Sequence, residues 1–298
     1  MNFEPCRKIT AENSKSFYFA SLPLPPAKRN ATYATYAFCR VADDIADDAA
    51  PGTEAEARQK LAELRRLLDG IENGTTPDHP LWGPFAHSIR QFSIPLVPFR
   101  TLLDGIESDL RPRRFETFVE LKEYCFQVAS TVGIALSHIF GYSDAEAFEY
   151  AANMGIAMQL TNILRDVGSD HSLGRIYLPL EELRRFGYSE EKLAAGVVDD
   201  AFQSLMCFEI ARAREYYRRA FQGIRYLTRD GSHWTAFLMG DVYRGILREI
   251  ERIEYDVFTH RAFVPWRLKA WSALSSTVRF RGEVLADTEA IVQIPEAL

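Results

Sequence analysis

Residues 150–170 read YAANMGIAMQLTNILRDVGSD, and the first fifteen of them include no Asp, Glu, Lys or Arg. Polar side chains gather towards the end of the stretch, where Asn162, Asp166 and Asp170 stand at positions i, i+4 and i+8. In a helix this spacing places their oxygens along one stripe, with Gln159 about one turn earlier. The stretch therefore predicts a buried helix that carries a row of oxygen ligands.

A second stretch without Asp, Glu, Lys or Arg runs from Tyr124 to Ser143, and its twenty residues are enough to span a bilayer. Polar residues such as Gln127 and Thr131 recur through it and Gly133 lies near its middle, whereas a lone transmembrane helix is more uniformly apolar. We therefore expect a buried central helix here. Two helices nearly free of charge predict the wall of a deep apolar interior.

Helical spacing dominates the rest of the chain. Residues 54–68, EAEARQKLAELRRLL, place leucines on one stripe and charges elsewhere, as an amphipathic helix requires. Gly70 and the Asn73-Gly74 pair are expected to end this helix. Residues 202–226 repeat the pattern with glutamates interleaved among arginines, which predicts a solvated face. The arginines of that face are Arg212, Arg214, Arg218, Arg219 and Arg225.

Alternating strand patterns bounded by hairpin turns are scarce, so the predicted fold class is all-α. The pattern fits a helical bundle around a deep central cavity. No long Gly/Ser linker or fixed-period repeat is present, so residues 1–298 are predicted to form one domain with a loosely held tail from about Thr288. Prolines are expected to mark connections between helices, namely Pro23, Pro25, Pro26, Pro77, Pro80, Pro95, Pro98 and Pro179.

The composition is typical of a soluble globular protein, with 47% hydrophobic and 26% charged residues among 298. The net charge of −6 argues against a general affinity for nucleic acid or anionic membranes, which attract basic proteins. Four widely spaced cysteines without a Cys-x-x-Cys pair favour a reducing cytoplasm. The N-terminus lacks the apolar run of a signal peptide, so we expect a cytoplasmic protein.

A second acidic group lies in residues 39–48, CRVADDIADD. Asp43 and Asp47 are four residues apart, so both would project from one side of a helix, where like charges repel. A cation shared by the two carboxylates would explain the arrangement, and a solvated helix end is the alternative. Carboxylate and amide oxygens suit Mg²⁺, which fills its remaining positions with water and substrate phosphate.

Each acidic group has an arginine within it, Arg40 in the first and Arg165 in the second. A polar stripe satisfied by buried water is the alternative for the second group, but two such groups in one chain weigh against it. Two aspartate-bearing helices, several Mg²⁺ ions and an apolar cavity suit the ionisation of an allylic diphosphate. The cations neutralise the leaving diphosphate, and aromatic faces shelter the carbocation.

The chain carries an ordered set of motifs that resembles the squalene/phytoene synthase family, which joins two prenyl diphosphates head to head. The resemblance extends from Ser14 to about Leu274, and the order of the motifs is more specific than any one of them. The matching segments are residues 14–17 (SKSF), 36–47 (YAFCRVADDIAD), 124–133 (YCFQVASTVG), 159–170 (QLTNILRDVGSD) and 174–179 (GRIYLP).

The resemblance implies a role for each matching position. The Mg²⁺ ions that hold the diphosphates would be bound by Asp43, Asp47, Asn162, Asp166 and Asp170. Phosphate oxygens would be contacted by Ser14, Ser16, Arg40 and Arg165. The prenyl pocket would be lined by Phe17, Tyr124, Val128, Val132 and Gln159, and the reacting carbons would lie near Tyr177 and Tyr243. For Tyr124 and Tyr243 a place in the apolar core is the alternative.

Two positions depart from the family pattern. Asn13 stands before the first motif where some relatives carry His, which leaves the phosphate contacts there open. His171 follows Asp170 where many relatives have another acid, so the outer edge of the second metal site is expected to be weaker.

The implied reaction is a 1-1′ condensation of two farnesyl or two geranylgeranyl diphosphates through a cyclopropylcarbinyl diphosphate. Squalene, dehydrosqualene and phytoene stay open as products, and NADPH is required only for squalene. A half-reaction of the hopanoid pathway, giving presqualene diphosphate or hydroxysqualene, is also open. Because the hydrocarbon product is insoluble in water, transient membrane contact is expected.

Three other classes of protein fit less well. A class I terpene cyclase shares the aspartate-rich helices but not the segments at 124–133 and 174–179. A non-catalytic helical scaffold would not explain carboxylates in apolar helices. A di-iron carboxylate bundle would need Glu-x-x-His on its helices, and the sequence lacks that pattern. The oligomeric state is left open.

Overall fold

The structure is a computed structural model that describes residues 1–50 and 52–265. Regular structure in these residues is helical, apart from isolated β-bridges, so the all-α prediction is confirmed. The α-helices are α1 (Glu4–Asn13), α2 (Lys15–Ser21), α3 (Pro26–Asp47), α4 (Glu54–Glu72), α5 (Trp82–Gln91), α6 (Val97–Ser108), α7 (Phe118–Cys125), α8 (Thr131–Phe140), α9 (Ala147–Ser172), α10 (Leu180–Arg185), α11 (Glu190–Ala194), α12 (Asp200–Gln222) and α13 (Ser232–Arg252).

Helix α9, which contains the 150–170 stretch, packs against α8, α12 and α13. It also packs against a π-helical turn, Phe126–Ser130, that joins α7 to α8. The contact is close because Gly155 lacks a side chain, since a Cβ there would lie 2.5 Å from the backbone nitrogen of Ser130. Asp166 has non-helical backbone angles and kinks α9 between Asn162 and Asp170.

The uncharged stretch is continuously helical from Tyr124 to Phe140, so the helix predicted there is confirmed, although Phe126–Ser130 within it form the π turn. The helix ends at Gly141, which has a φ of 74°. π turns are commonly found at functional sites, and this one borders the cavity described below. Each helix of the described ranges is either too short or too polar to cross a membrane.

Helix ends correct two expectations. Gly70 lies inside α4, which ends where the Asn73-Gly74 pair begins, because one glycine costs only about 1 kcal/mol relative to alanine and the leucine stripe outweighs it. Pro26 and Pro98 stand in the first turns of α3 and α6, where the missing N–H has no helical partner to lose. The tail from Thr288 lies outside the described residues, and the single domain stays a prediction.

Two clusters of buried apolar side chains fill the interior. The first is built mainly by α1 to α6 and α8, and the second mainly by α7 and α9 to α13. Val128 of the π turn and Ala236 of α13 pack against both clusters. The candidate active site lies between the two clusters, and side chains from both line it.

Arg212 is buried, so the expectation of a solvated arginine face on α12 is wrong at this position. Its side chain is 9% exposed and binds Glu182 and Glu209, which are 6% and 1% exposed. Its guanidinium also stacks 3.8 Å from the centroid of the Phe118 ring. Glu182 belongs to α10, so the burial arises from a tertiary contact that the spacing within α12 does not contain.

Replacing Arg212 by methionine is expected to lower the free energy of unfolding by about 3–5 kcal/mol, because Glu182 and Glu209 would stay buried without a counter-charge. Urea denaturation at neutral pH measures the loss. The matched control is Arg214→Met, which removes a half-exposed ion pair with Glu251 and should cost under about 1 kcal/mol. Equal losses in the two variants would contradict the argument.

Candidate active site

A cavity of about 750 Å³ opens between the two apolar clusters. On α9 its lining residues recur every three or four positions from Ala147 to Arg165, which corresponds to about 27 Å of helix at 1.5 Å per residue. The π turn with α8 and helix α13 form the facing walls, and Val128, Val132 and Tyr243 lie on them. The wall of a deep apolar interior predicted from the uncharged stretches is therefore present.

A smaller chamber of about 200 Å³ adjoins this cavity, and the two share Asp43, Val128, Gln159 and Asn162. We call it the carboxylate chamber. It is lined by all five positions that the family resemblance implies as metal ligands, namely Asp43, Asp47, Asn162, Asp166 and Asp170. Helices α3 and α9 thus bring the two acidic groups of the sequence together, although more than a hundred residues separate them.

Among the described residues, two carboxylates of this chamber lack a basic partner close enough to hold them in the ionised state. Burial, together with the charge of Asp47 one turn away, raises the pKa of Asp43 to about 7. Burial, together with the charge of Asp166, likewise raises the pKa of Asp170 to about 7. Such sites favour a bound cation, which would compensate for desolvation and repulsion together.

The other two predicted aspartates are paired with arginines. The Arg175 Nη1 atom lies 3.3 Å from Asp47 Oδ1. Asp166 accepts hydrogen bonds from Arg165 Nε at 2.9 Å and from Arg261 Nε at 3.1 Å. Burial alone would raise the pKa of Asp166, but these arginines hold it below its usual value. The guanidinium groups of these three arginines therefore lie where the carboxylates of the chamber stabilise positive charge.

The donor atoms of the chamber fit Mg²⁺. Asn162 Oδ1 is buried and has no hydrogen-bond partner, so an oxygen ligand is available beside the carboxylates. In residues 1–50 and 52–265 no three His, Cys, Asp or Glu side chains converge closely enough to hold one ion. Mg²⁺ typically takes one or two carboxylates from a protein and completes its shell with water and phosphate, so it does not require such a convergence.

The predicted phosphate contacts line the main cavity, namely Ser14, Ser16, Arg40 and Arg165. Ser14 Oγ accepts a hydrogen bond from the backbone N–H of Phe17 and so caps α2. Arg40 forms an ion pair with Asp44, and its buried Nε has no acceptor among the described residues. The positive charges of Arg40 and Arg165 therefore lie at the cavity wall, where a bound ligand could contact them.

Aromatic side chains line both compartments. The ring of Phe17 stacks on that of Tyr36, with centroids 5.0 Å apart, and both border the main cavity. The rings of Tyr124 and Tyr177 stack at 5.3 Å in the carboxylate chamber. Tyr243 lies on the cavity wall, where burial raises the pKa of its hydroxyl. The four predicted aromatic residues, Phe17, Tyr124, Tyr177 and Tyr243, all line the site, but Tyr124 lines the carboxylate chamber and not the main cavity.

Three residues at the site were not singled out from the sequence. Asp109 accepts hydrogen bonds from Tyr124 and Tyr177. Arg175, which belongs to the GRIYLP motif, also approaches the carbonyl oxygen of Asp109 at 3.4 Å. The motif was a signal for Arg175, but no motif marks Asp109, which ends an amphipathic helix, or Arg261.

Comparison with known proteins agrees with these features. The family model described as squalene/phytoene synthase matches residues 10–268. The 15-cis-phytoene synthase of Synechocystis is 42% identical over 277 residues, which cover 88% of this chain and 80% of the relative. That of Synechococcus elongatus is 39% identical and covers 89% of each chain.

Two solved structures are also similar. A dehydrosqualene synthase in complex with a ligand has a TM-score of 0.88 and 31% identity, with 94% of this chain and 96% of that chain covered. The squalene synthase HpnC from Alicyclobacillus acidocaldarius has a TM-score of 0.77 and 27% identity, with 85% and 94% covered. The similarity extends over nearly the whole of each chain.

Proposed function

The chain belongs to the squalene/phytoene synthase family, and from this membership we propose that it condenses two molecules of geranylgeranyl diphosphate into phytoene. The enzyme is a prenyltransferase, which removes the non-catalytic scaffold and the terpene cyclase from consideration. The observation that carries the choice of substrate is the length of the cavity along α9.

The cavity is longer than a C15 chain requires. Ala147 stands fifteen residues before Asn162, which corresponds to about 22 Å of helix. At about 1.2 Å per bond, the rise of an extended polypeptide, the sixteen-carbon main chain of a geranylgeranyl group spans about 18 Å and the twelve-carbon farnesyl chain about 13 Å. The deep end therefore suits the C20 chain, in agreement with the names of the similar phytoene synthases.

Mg²⁺ at Asp43, Asp47, Asn162, Asp166 and Asp170 would supply the charge that neutralises the departing diphosphate. Arg40 and Arg165 approach from α3 and α9 and add two fixed positive charges where the diphosphates would lie. The uncharged walls of the cavity exclude water, so the allylic cation meets the double bond of the second chain before water reaches it. Faces of Phe17 and Tyr243 attract the cation.

The proposed reaction balances without a reductant. Two geranylgeranyl diphosphates lose two diphosphates and two protons, and the new carbon–carbon bond forms through a cyclopropylcarbinyl diphosphate. The released diphosphate accepts the first proton, because none of the described residues that line either compartment is a histidine. Squalene would require a hydride from NADPH, so dependence on NADPH distinguishes the two products.

Incubation with Mg²⁺ and either geranylgeranyl or farnesyl diphosphate, with and without NADPH, tests the proposal. We expect a C40 hydrocarbon in the organic extract from the C20 substrate, at the same rate whether or not NADPH is present. A C30 hydrocarbon as the dominant product would overturn the choice of substrate. Accumulation of a cyclopropyl diphosphate, or turnover of presqualene diphosphate alone, would indicate a half-reaction instead.

A further inference from the structure

We propose that Asp109 is a positioning residue that directs the hydroxyl oxygens of Tyr124 and Tyr177 into the carboxylate chamber as electron-pair donors for the carbocation. This inference rests on the proposed function, because that reaction creates the cation. Asp109 follows α6 and lines the chamber with both tyrosines.

The hydrogen bonds fix where the phenol protons lie. Tyr124 Oη donates to Asp109 Oδ2 at 2.6 Å, and Tyr177 Oη donates to Asp109 Oδ1 at 3.2 Å. The two hydroxyl oxygens are 3.4 Å apart, which is too long to compete with the bond from Tyr124. A phenol has one proton to donate and an ionised carboxylate only accepts. Both protons are therefore held by Asp109, and the oxygen lone pairs are left for the chamber.

The surroundings of Asp109 keep its carboxylate in place. Its side chain is 11% exposed, and Arg113 Nε lies 4.0 Å from Oδ1. Arg175 donates to the main-chain oxygen of Asp109 and binds Asp47 through its other nitrogen. Burial raises the pKa of Asp109, and the hydrogen bond from Tyr124 and the charges of Arg175 and Arg113 oppose that shift. Its two carboxyl oxygens accept from both phenols at once.

In this orientation the tyrosine hydroxyls interact with positive charge, whereas the arginines interact with negative charge. A phenol that presents lone pairs attracts a positive carbon and repels phosphate oxygens, whereas a phenol that presents its proton would do the reverse. For the diphosphate, Arg40 and Arg165 provide positive charges at the wall of the main cavity. The stacked tyrosines thus provide the negative side of the site, next to the carbon from which the diphosphate departs.

Asp109→Asn tests the proposal with almost no change in shape. The amide replaces one acceptor oxygen by an N–H donor, so one phenol loses its acceptor and turns its proton towards the chamber. We expect kcat to fall about 10²-fold, the size of effect seen when one preorganised dipole is removed, with KM within about threefold of the wild type. Asp104→Asn, an exposed aspartate on α6 that pairs with Arg65, is the matched control.

A double-mutant cycle separates positioning from a merely structural role. In a protein that already carries Tyr124→Phe and Tyr177→Phe, Asp109→Asn should lower kcat by less than about threefold, because no hydroxyl remains to be oriented. The same fold-loss in both backgrounds would overturn the proposal. So would a rise in KM with unchanged kcat, since Asp109 would then act in substrate binding.

A binding measurement tests the orientation without turnover. The probe is geranylgeranyl dimethylamine, whose ammonium group imitates the carbocation, and inorganic pyrophosphate serves as the anionic probe. Asp109→Asn should weaken the ammonium ligand about tenfold and bind pyrophosphate at least as tightly as the wild type, in proteins of equal melting temperature. Equal affinity for the ammonium ligand, or parallel loss of both ligands, would overturn the inference. Wild-type protein inactive on geranylgeranyl diphosphate would instead count against the proposed function.

Discussion

Replacing Asp43 or Asp166 by asparagine is expected to lower turnover of geranylgeranyl diphosphate about 10³-fold, the upper range for loss of one charge-stabilising group at an active site. Each carboxylate contributes a negative charge from one of the two facing helices, and the amide keeps the shape but not the charge. Steady-state assays at saturating Mg²⁺ measure the loss.

Stability separates this effect from damage to the fold. Asp43 and Asp47 repel each other across one helical turn in a desolvated chamber, so Asp43→Asn should leave the metal-free protein at least as stable as the wild type. Asp48→Asn, an exposed change one residue beyond the pair, is the control and should keep full turnover. Near wild-type turnover in both Asp43→Asn and Asp166→Asn would refute the assignment of the carboxylate chamber.

The second large effect concerns chain length. Ala151 lines the cavity eleven residues before Asn162, which corresponds to about 16 Å along α9. Ala151→Phe would place a ring at that depth. A farnesyl chain, which spans about 13 Å, ends before the ring, whereas a geranylgeranyl chain, which spans about 18 Å, would meet it. Side chains on a helix lean towards its N-terminus, here the deep end, so the space nearer the diphosphates stays free.

We expect Ala151→Phe to lower kcat/KM for geranylgeranyl diphosphate about 10²-fold. The reason is that a chain that no longer fits loses roughly 3 kcal/mol of apolar burial. Farnesyl diphosphate should be converted at least as well as by the wild type. The ratio of C40 to C30 hydrocarbon formed from equal concentrations of the two substrates measures the change. Ala147→Phe, one turn deeper and beyond the reach of the C20 chain, is the control. An unchanged ratio in Ala151→Phe would mean that the chain does not follow α9.

The site was predictable to the extent that it depends on local spacing. Asn162, Asp166 and Asp170 lie on one helix, and periodicity alone indicated that their oxygens would share a face. The family resemblance, based on the ordered motifs, then implied that Asp43 and Asp47 bind metal at the same site. The kink at Asp166 was not foreseen, because neither composition nor spacing marks a departure from helical angles within such a run.

Residues whose roles depend on tertiary contacts could not be identified from the sequence. Asp109 matters because α6 ends beside two tyrosines from other elements, and no pattern around it differs from that of a solvated aspartate. Arg212 has the spacing of a surface arginine, yet α10 covers it with Glu182. Such features depend on which faces meet after folding, and helical periodicity specifies a face without specifying its partner.

The contact between Gly155 and Ser130 limits which dimensions of the cavity can be changed by substitution. Where α9 meets the π turn, main-chain atoms rather than side chains set the spacing of the cavity walls. Substitutions elsewhere along α9 can shorten or lengthen the space for a linear hydrocarbon, but none can widen the cavity at this contact without separating the two segments. Directed evolution should therefore change the number of isoprene units that the enzyme accepts more readily than it admits branched or cyclic chains.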